Sequence, residues 1–218
     1  MERRRLGDTD MQVSVLGFGG SEIGYQRVSG RTVARLLGGA LDAGLNVIDT
    51  AECYENSEEL IGKAISGRRR DFYLFSKCGH GRGYGHADWR PAALLSSIER
   101  SLRRLRTDVL DLIQLHSCSL EHLKKGDVVA ALERARERGW TRYIGYSGDG
   151  EAARYAMAAR GVYFLMAGPT KAPSRMMTPI TKHQARPACQ AATGLPVLRA
   201  TGSMMRKTTM NMWGTLGP

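Results

Sequence analysis

Residues 42–65 read DAGLNVIDTAECYENSEELIGKAI, and this stretch passes from helix to strand to helix. Gly44 closes a helix whose apolar face is Val33, Leu36, Leu37, Ala40 and Leu41, at the spacing of helical turns. Leu45–Asp49 is then short and apolar, as a buried strand is, and Leu60, Ile61, Ala64 and Ile65 resume the helical period. Ser57 is the expected cap of that second helix, with Glu58 and Glu59 in its first turn.

The same alternation extends in both directions. Upstream, residues 14–20 (SVLGFGG) form a strand that runs into a glycine turn. Downstream, Phe72–Ser76 is a third strand, and Pro91 opens a third helix carrying Leu94, Leu95, Ile98, Leu102 and Leu105. A fourth strand covers Val109–Leu115. Asp127 is the expected cap of a fourth helix with Val128, Val129, Leu132 and Ala135, which Gly139 ends. Arg142–Ser147 is a fifth strand, 151–160 a fifth helix and Val162–Met166 a sixth strand. Strict alternation of this kind means parallel strands joined by helical crossovers, which a doubly wound sheet and an eightfold barrel both satisfy.

After residue 166 the periodicity stops, so residues 1–166 are expected to form the folded unit and 167–218 an irregular basic tail. All 21 acidic residues lie at or before Glu151, so the net charge of +11 belongs to the tail and the body is nearly neutral. The charge therefore argues for no nucleic-acid partner. No apolar run reaches membrane-spanning length, and the N-terminus has no secretory core. Four cysteines in a chain of this size suggest no disulfide framework, and a cytoplasmic location is expected.

The tail also carries a codon pattern. Met176-Met177-Thr178 must be written ATG-ATG-ACN, which gives Asp-Asp when read from the third base and a stop when read from the second. Met204-Met205 and Met210–Gly214 likewise yield Asp and Glu codons in the first of these frames. The pattern points to a frameshift near codons 152–166 as the origin of the acid-free segment.

Parallel alternating folds gather function at the carboxyl ends of their strands. Asp49, Tyr54, Lys77 and His116 stand there. Singly, each has an ordinary role as a turn cap, a packed ring, a solvated cation or a core histidine. Together they support proton transfer to an oxygen: a lysine cation favours the phenolate, an aspartate holds the ammonium, and a neutral imidazole orients the substrate oxygen.

The segments Leu16–Gly20, 42–65, Phe75–Gly79 and 97–117 (SIERSLRRLRTDVLDLIQLHS) resemble the signature segments of aldo-keto reductases, from Arg5 to Arg160. The resemblance implies a (β/α)8 TIM barrel, here incomplete, with five to six βα units. It also implies an NADPH-dependent reductase of a small carbonyl substrate, an aldehyde or ketone. The family's catalytic tetrad falls on Asp49, Tyr54, Lys77 and His116, and cofactor contacts on Gly20, Ser21, Asp49 and Ser147. Two positions depart from the family pattern: Glu55 stands where glycine commonly follows the tyrosine, and Gly148 where asparagine often follows the serine. Strands seven and eight, whose loops hold the cofactor's phosphates in the family, are not recognised. A non-catalytic binding protein is therefore the rival expectation.

The glycine-rich run 78–86 lacks the Lys-Ser/Thr ending of a phosphate loop and is expected to lie over a substrate pocket. Cys53, Cys78, His80, His116 and Cys118 could meet on one rim, but no Cys-x-x-Cys pair supports zinc, and no metal is expected.

Overall fold

A computed structural model describes residues 1–158 and the short strand Leu165–Met166. The tail 167–218, with its expected irregular packing and its boundary at 166, lies outside the described residues. The chain opens with a hairpin of β1 (Arg3–Arg5) and β2 (Gln12–Ser14), paired antiparallel. There follow β3 (Phe18–Gly19), α1 (Ser21–Tyr25), α2 (Gly30–Asp42), β4 (Val47–Asp49) and α3 (Ser57–Ile65). After a 3-10 turn over Ser66–Asp71 come β5 (Tyr73–Cys78), α4 (Pro91–Leu105), β6 (Leu110–His116), α5 (Leu120–Lys125) and α6 (Asp127–Glu137). The last described elements are β7 (Thr141–Ser147), α7 (Gly150–Ala158) and β8 (Leu165–Met166).

Strands β3 to β8 form one parallel sheet in which each strand pairs with the next in sequence. This is the order in which a β/α barrel is wound. A doubly wound sheet must reverse its strand order at a switch point, and no reversal occurs among the described strands. Each strand sends alternate residues to opposite faces. Ile48, Leu74, Ile113 and Ile144 pack outward against Val33 and Leu37 of α2, Ile61 of α3, Leu94 and Ile98 of α4, and Leu132 of α6. Val47, Phe75 and Leu112 face the other way and meet Leu6, Met11 and Val13 of the hairpin. The hairpin therefore plugs the inner face at the amino ends of the strands.

Two expected helix caps are corrected. The residue preceding α3 is Asn56, whose side chain makes no cap bond. Ser57 is inside the helix, where its hydroxyl donates to the Gly20 carbonyl at 2.7 Å and lies 2.9 Å from Thr50 Oγ1. Asp127 is the first residue of α6 and not its cap, because Gly126 fills that position in the left-handed region at φ +81°. The hairpin and the short helices α1 and α5 were not anticipated; strands of three residues carry too little alternation to be read.

A charge network locks the plugged end. Asp111 on β6, 5% exposed, accepts from Arg69 at 2.6 Å, from the Leu74 amide at 2.9 Å and from Arg142 at 2.8 Å. Arg142 also reaches Asp10 in the hairpin at 2.6 Å. Replacing Asp111 with alanine leaves two guanidinium groups without their shared carboxylate. Because both arginines keep partial access to water, we expect a loss of about 2 kcal/mol in urea unfolding, below the full cost of orphaning a buried charge. An unchanged urea midpoint would remove this network from the stabilising contacts.

Candidate active site

The carboxyl ends of four adjacent parallel strands bring the polar residues together. Asp49 ends β4, Lys77 is the penultimate residue of β5, His116 ends β6 and Ser147 ends β7. Register aligns them: Lys77 pairs with Gln114, and His116 with Ser147. All four are buried. Tyr54 comes five residues after Asp49, on a tight turn in which its carbonyl accepts from the Ser57 amide at 2.9 Å.

Lys77 is almost completely enclosed, and its ammonium donates to the Asp49 carboxylate and to the Thr50 carbonyl at 2.8 Å. Burial pushes the Asp49 carboxyl up against the pull of Lys77 and Gln114. The same ammonium lies 5.1 Å from the centroid of the Tyr54 ring. The phenol is raised above its ordinary value, first by burial and then by the Asp49 charge. The depression expected from a lysine cation is not found; burial and the Asp49 charge set the direction.

His116 meets Tyr54 edge to face, with ring centroids 5.8 Å apart. Its pKa is lowered to about 3 by burial, with Lys77 and His80 adding to the effect. The imidazole is therefore neutral at physiological pH. Nδ1 lies 3.4 Å from Cys53 Sγ. The His116 carbonyl accepts from His80 Nε2 at 2.8 Å, so that nitrogen carries a proton.

Of the predicted cofactor contacts, Gly20 and Ser21 sit beside Asp49. The Gly20 amide donates to the Asp49 carbonyl at 2.7 Å and its carbonyl accepts from Ser57, so both backbone groups are engaged within the protein. Ser21 begins α1. Ser147 lies on the opposite side of His116, with its carbonyl receiving the Ser117 amide at 2.7 Å.

Several residues of the rim escaped the sequence reading. Glu52 is buried and accepts from the Gly79 and His80 amides, each at 2.8 Å, and from Arg100 at 2.8 Å. It thereby anchors the start of the 79–89 loop. Tyr84 in that loop stacks on His80 at 5.0 Å and comes within 5.5 Å of His116, yet is 63% exposed. Tyr25 meets Tyr54 at 6.0 Å between ring centroids. An acidic residue between the strand-end Asp49 and Tyr54, and aromatic residues among the loop glycines, were the available signals. The described thiols have separate hydrogen-bond partners: Cys78 bonds to the Gln114 carbonyl and Cys118 to that of Ser119, while Cys53 faces His116. No group of three or more metal-binding side chains occurs among the described residues.

The two departures noted in the sequence fall at tight points of the backbone. Glu55 adopts φ +49°, a left-handed conformation that glycine takes without strain. A Cβ at Gly148 would stand 2.6 Å from the Tyr146 hydroxyl, which donates to the Cys118 carbonyl.

The Aldo/keto reductase family profile matches residues 15–204, further than the resemblance that ends near Arg160. An uncharacterised oxidoreductase of Bacillus subtilis is 33% identical over 67% of this chain and 49% of its own length. Among solved structures, an aldo-keto reductase of Bacillus halodurans in its holo form gives a TM-score of 0.70 at 31% identity, over 77% of this chain and 57% of that one. An aldo/keto reductase of Klebsiella pneumoniae, in complex with NADP and acetate, gives 0.59 at 31% identity over 72% and 52%. The chain spans about half the length of the curated relatives it matches. Its parallel sheet and helices are a part of the TIM-barrel fold of these neighbours.

Two outcomes test this geometry. A Cβ at Gly24 would lie 2.0 Å from the Tyr54 carbonyl oxygen. Gly24→Ala should thus lower stability by about 2 kcal/mol, as overpacking does, and an unchanged thermal midpoint would show that α1 does not press on the Tyr54 turn. The second outcome concerns pH. His116 takes up a proton near its ordinary value of 6.5 when unfolded but near 3 when folded. Between these values the unfolded chain holds more protons, so this residue's contribution to stability falls as pH drops through that window and is fully present above it. The urea midpoint of the wild type, relative to His116→Asn, should rise from pH 4 to pH 7; a difference independent of pH would contradict the burial of a neutral imidazole.

Proposed function

The chain belongs to the Aldo/keto reductase family, and from that membership we propose that its rim reduces an aldehyde or ketone to the alcohol with NADPH. The observation that carries this reading is the enclosed Asp49–Lys77 pair beside Tyr54 and a neutral His116. The donor set fits a nicotinamide cofactor. The Ser147 hydroxyl is suited to the carboxamide, one strand from His116, and the NADP complex of a neighbour supports the same cofactor class. A reduced nicotinamide bound there would supply the hydride for the carbonyl carbon.

The chain's own residues handle the oxygen. The neutral His116 imidazole offers an N–H to the carbonyl oxygen and orients it toward Tyr54. As the carbon accepts the hydride, the oxygen becomes an alkoxide, a stronger base than a phenolate, and it takes the Tyr54 proton. A phenol raised by burial stays protonated across the neutral range, so it is loaded for this step. Lys77, fixed by Asp49 and Thr50, stands by the ring on which negative charge develops. Tyr25 and Tyr84 add aromatic walls beside the Tyr54–His116 pair.

NADPH oxidation with a panel of aldehydes should fall at least about 100-fold in Tyr54→Phe, the usual scale for losing a general acid. The rate should stay level as pH rises through the neutral range and decline only above about 10, the ordinary phenol value. Activity that survives Tyr54→Phe would sink the assignment. Micromolar NADPH binding, seen by fluorescence titration, would remove the non-catalytic rival, which keeps the tetrad but holds no cofactor; absence of binding would favour it.

A further inference from the structure

We propose that Cys53 is a positioning residue whose thiol fixes the proton of His116 on Nε2. The contact is direct: Sγ lies 3.4 Å from Nδ1, and both side chains are buried. A neutral imidazole has one N–H and one bare nitrogen, and a thiol has one S–H. Two arrangements satisfy the contact. Either S–H points at a bare Nδ1 and Nε2 carries the proton, or an Nδ1–H points at sulfur and Nε2 is bare.

Physical chemistry separates them. Burial, together with the Glu52 charge, raises the Cys53 thiol to about 12, so sulfur keeps its proton. An imidazole nitrogen is a strong acceptor and a thiol sulfur a weak one, so S–H to nitrogen is the better pairing. In the second arrangement the thiol proton would need another acceptor, and His116 Nδ1 is the acceptor that faces Sγ among the described residues.

The neighbours of the ring leave the decision to Cys53. Two of the three Lys77 protons go to Asp49 and Thr50, and a cation that only donates puts no acceptor at Nδ1. His80 hydrogen-bonds the His116 carbonyl, and its ring meets the His116 ring edge to face at 5.5 Å. Tyr54 and Tyr84 approach as rings, at 5.8 Å and 5.5 Å between centroids. Without the thiol, nothing described at Nδ1 selects a tautomer. For a carbonyl substrate the choice matters, because a carbonyl oxygen only accepts. The Nε2–H form holds it, whereas a bare Nε2 would set one lone pair against another. This consequence rests on the reductase reading; the tautomer itself does not.

Long-range proton–nitrogen correlation spectra of the full chain with 15N-labelled histidine read the tautomer directly, with His116 assigned by the signals lost in His116→Asn. The wild type should show a bare Nδ1 and a protonated Nε2. Cys53→Ala should populate both tautomers, and Cys53→Ser, whose hydroxyl can still donate to Nδ1, should restore one. In aldehyde reduction, Cys53→Ala should lower kcat/KM about five- to tenfold, the scale of one hydrogen bond, with Cys53→Ser recovering most of the loss. A protonated Nδ1 in the wild type, which needs no variant to fold, overturns the proposal, as does a single Nε2–H tautomer persisting in Cys53→Ala. Activity surviving in Tyr54→Phe would overturn the reductase reading while leaving the tautomer result intact.

Discussion

The ion pair between Lys77 and Asp49 is the constraint on which the rim depends. An ammonium taken out of water loses hydration worth several kcal/mol, and it stays charged only where acceptors replace that hydration. Here the replacements come from the carboxylate that ends β4 and from the Thr50 carbonyl one residue on. Asp49 ends the strand next to β5, which carries Lys77, and Thr50 directly follows it. The pair therefore fixes the alignment of two adjacent strand ends. It also holds the start of the turn that carries Tyr54 and sets the charge that His116 and Tyr54 feel. A pair this enclosed is weak as a source of stability. Its value is in the arrangement it enforces.

The two ends of the parallel sheet are specialised accordingly. At the amino ends, the hairpin inserts Leu6, Met11 and Val13 against Val47, Phe75 and Leu112, and Asp111 ties β6 to Arg69 and Arg142. Those contacts are satisfied and closed. At the carboxyl ends, the polar residues are gathered with aromatic rings around them, and the exposed face of Tyr84 is left toward solvent. Barrel-type folds separate stability from chemistry in this way, because the loops after the strands vary without disturbing the packed end.

How much of this was legible depends on the range of the interaction. The helices α2, α3, α4 and α6 and the longer strands were read from apolar spacing, since a helix face or a buried strand repeats its signal several times. Asp49, Lys77 and His116 were singled out because each follows or ends an apolar strand, a local cue. The caps were misread for a tertiary reason: Ser57 has a capping residue's chemistry, but Gly20 and Thr50 claim its hydroxyl from another part of the chain. Glu52 was passed over because its partners, the Gly79 and His80 amides and Arg100, lie far along the sequence. The choice between barrel and doubly wound sheet was equally beyond local reading, for both share the alternation and differ only in which strands become neighbours.

Glu52 shows how the rim is coupled to the loop above it. Its carboxylate takes two consecutive backbone amides where the chain leaves β5, and Gly79 adopts φ +114° at that point. A side chain at Gly79 would collide with the Trp89 ring, within 2.2 Å of its carbon atoms. The loop thus begins at a fixed point, closes on Trp89, and carries His80 onto the His116 carbonyl with Tyr84 stacked over it. Arg100 on α4 neutralises Glu52 from behind. Through this one carboxylate the strand-end turn bearing Tyr54, the loop bearing Tyr84 and the helix that follows are held in a common frame. The aromatic wall is consequently positioned by the same segment, 49–54, that supplies the aspartate and the phenol.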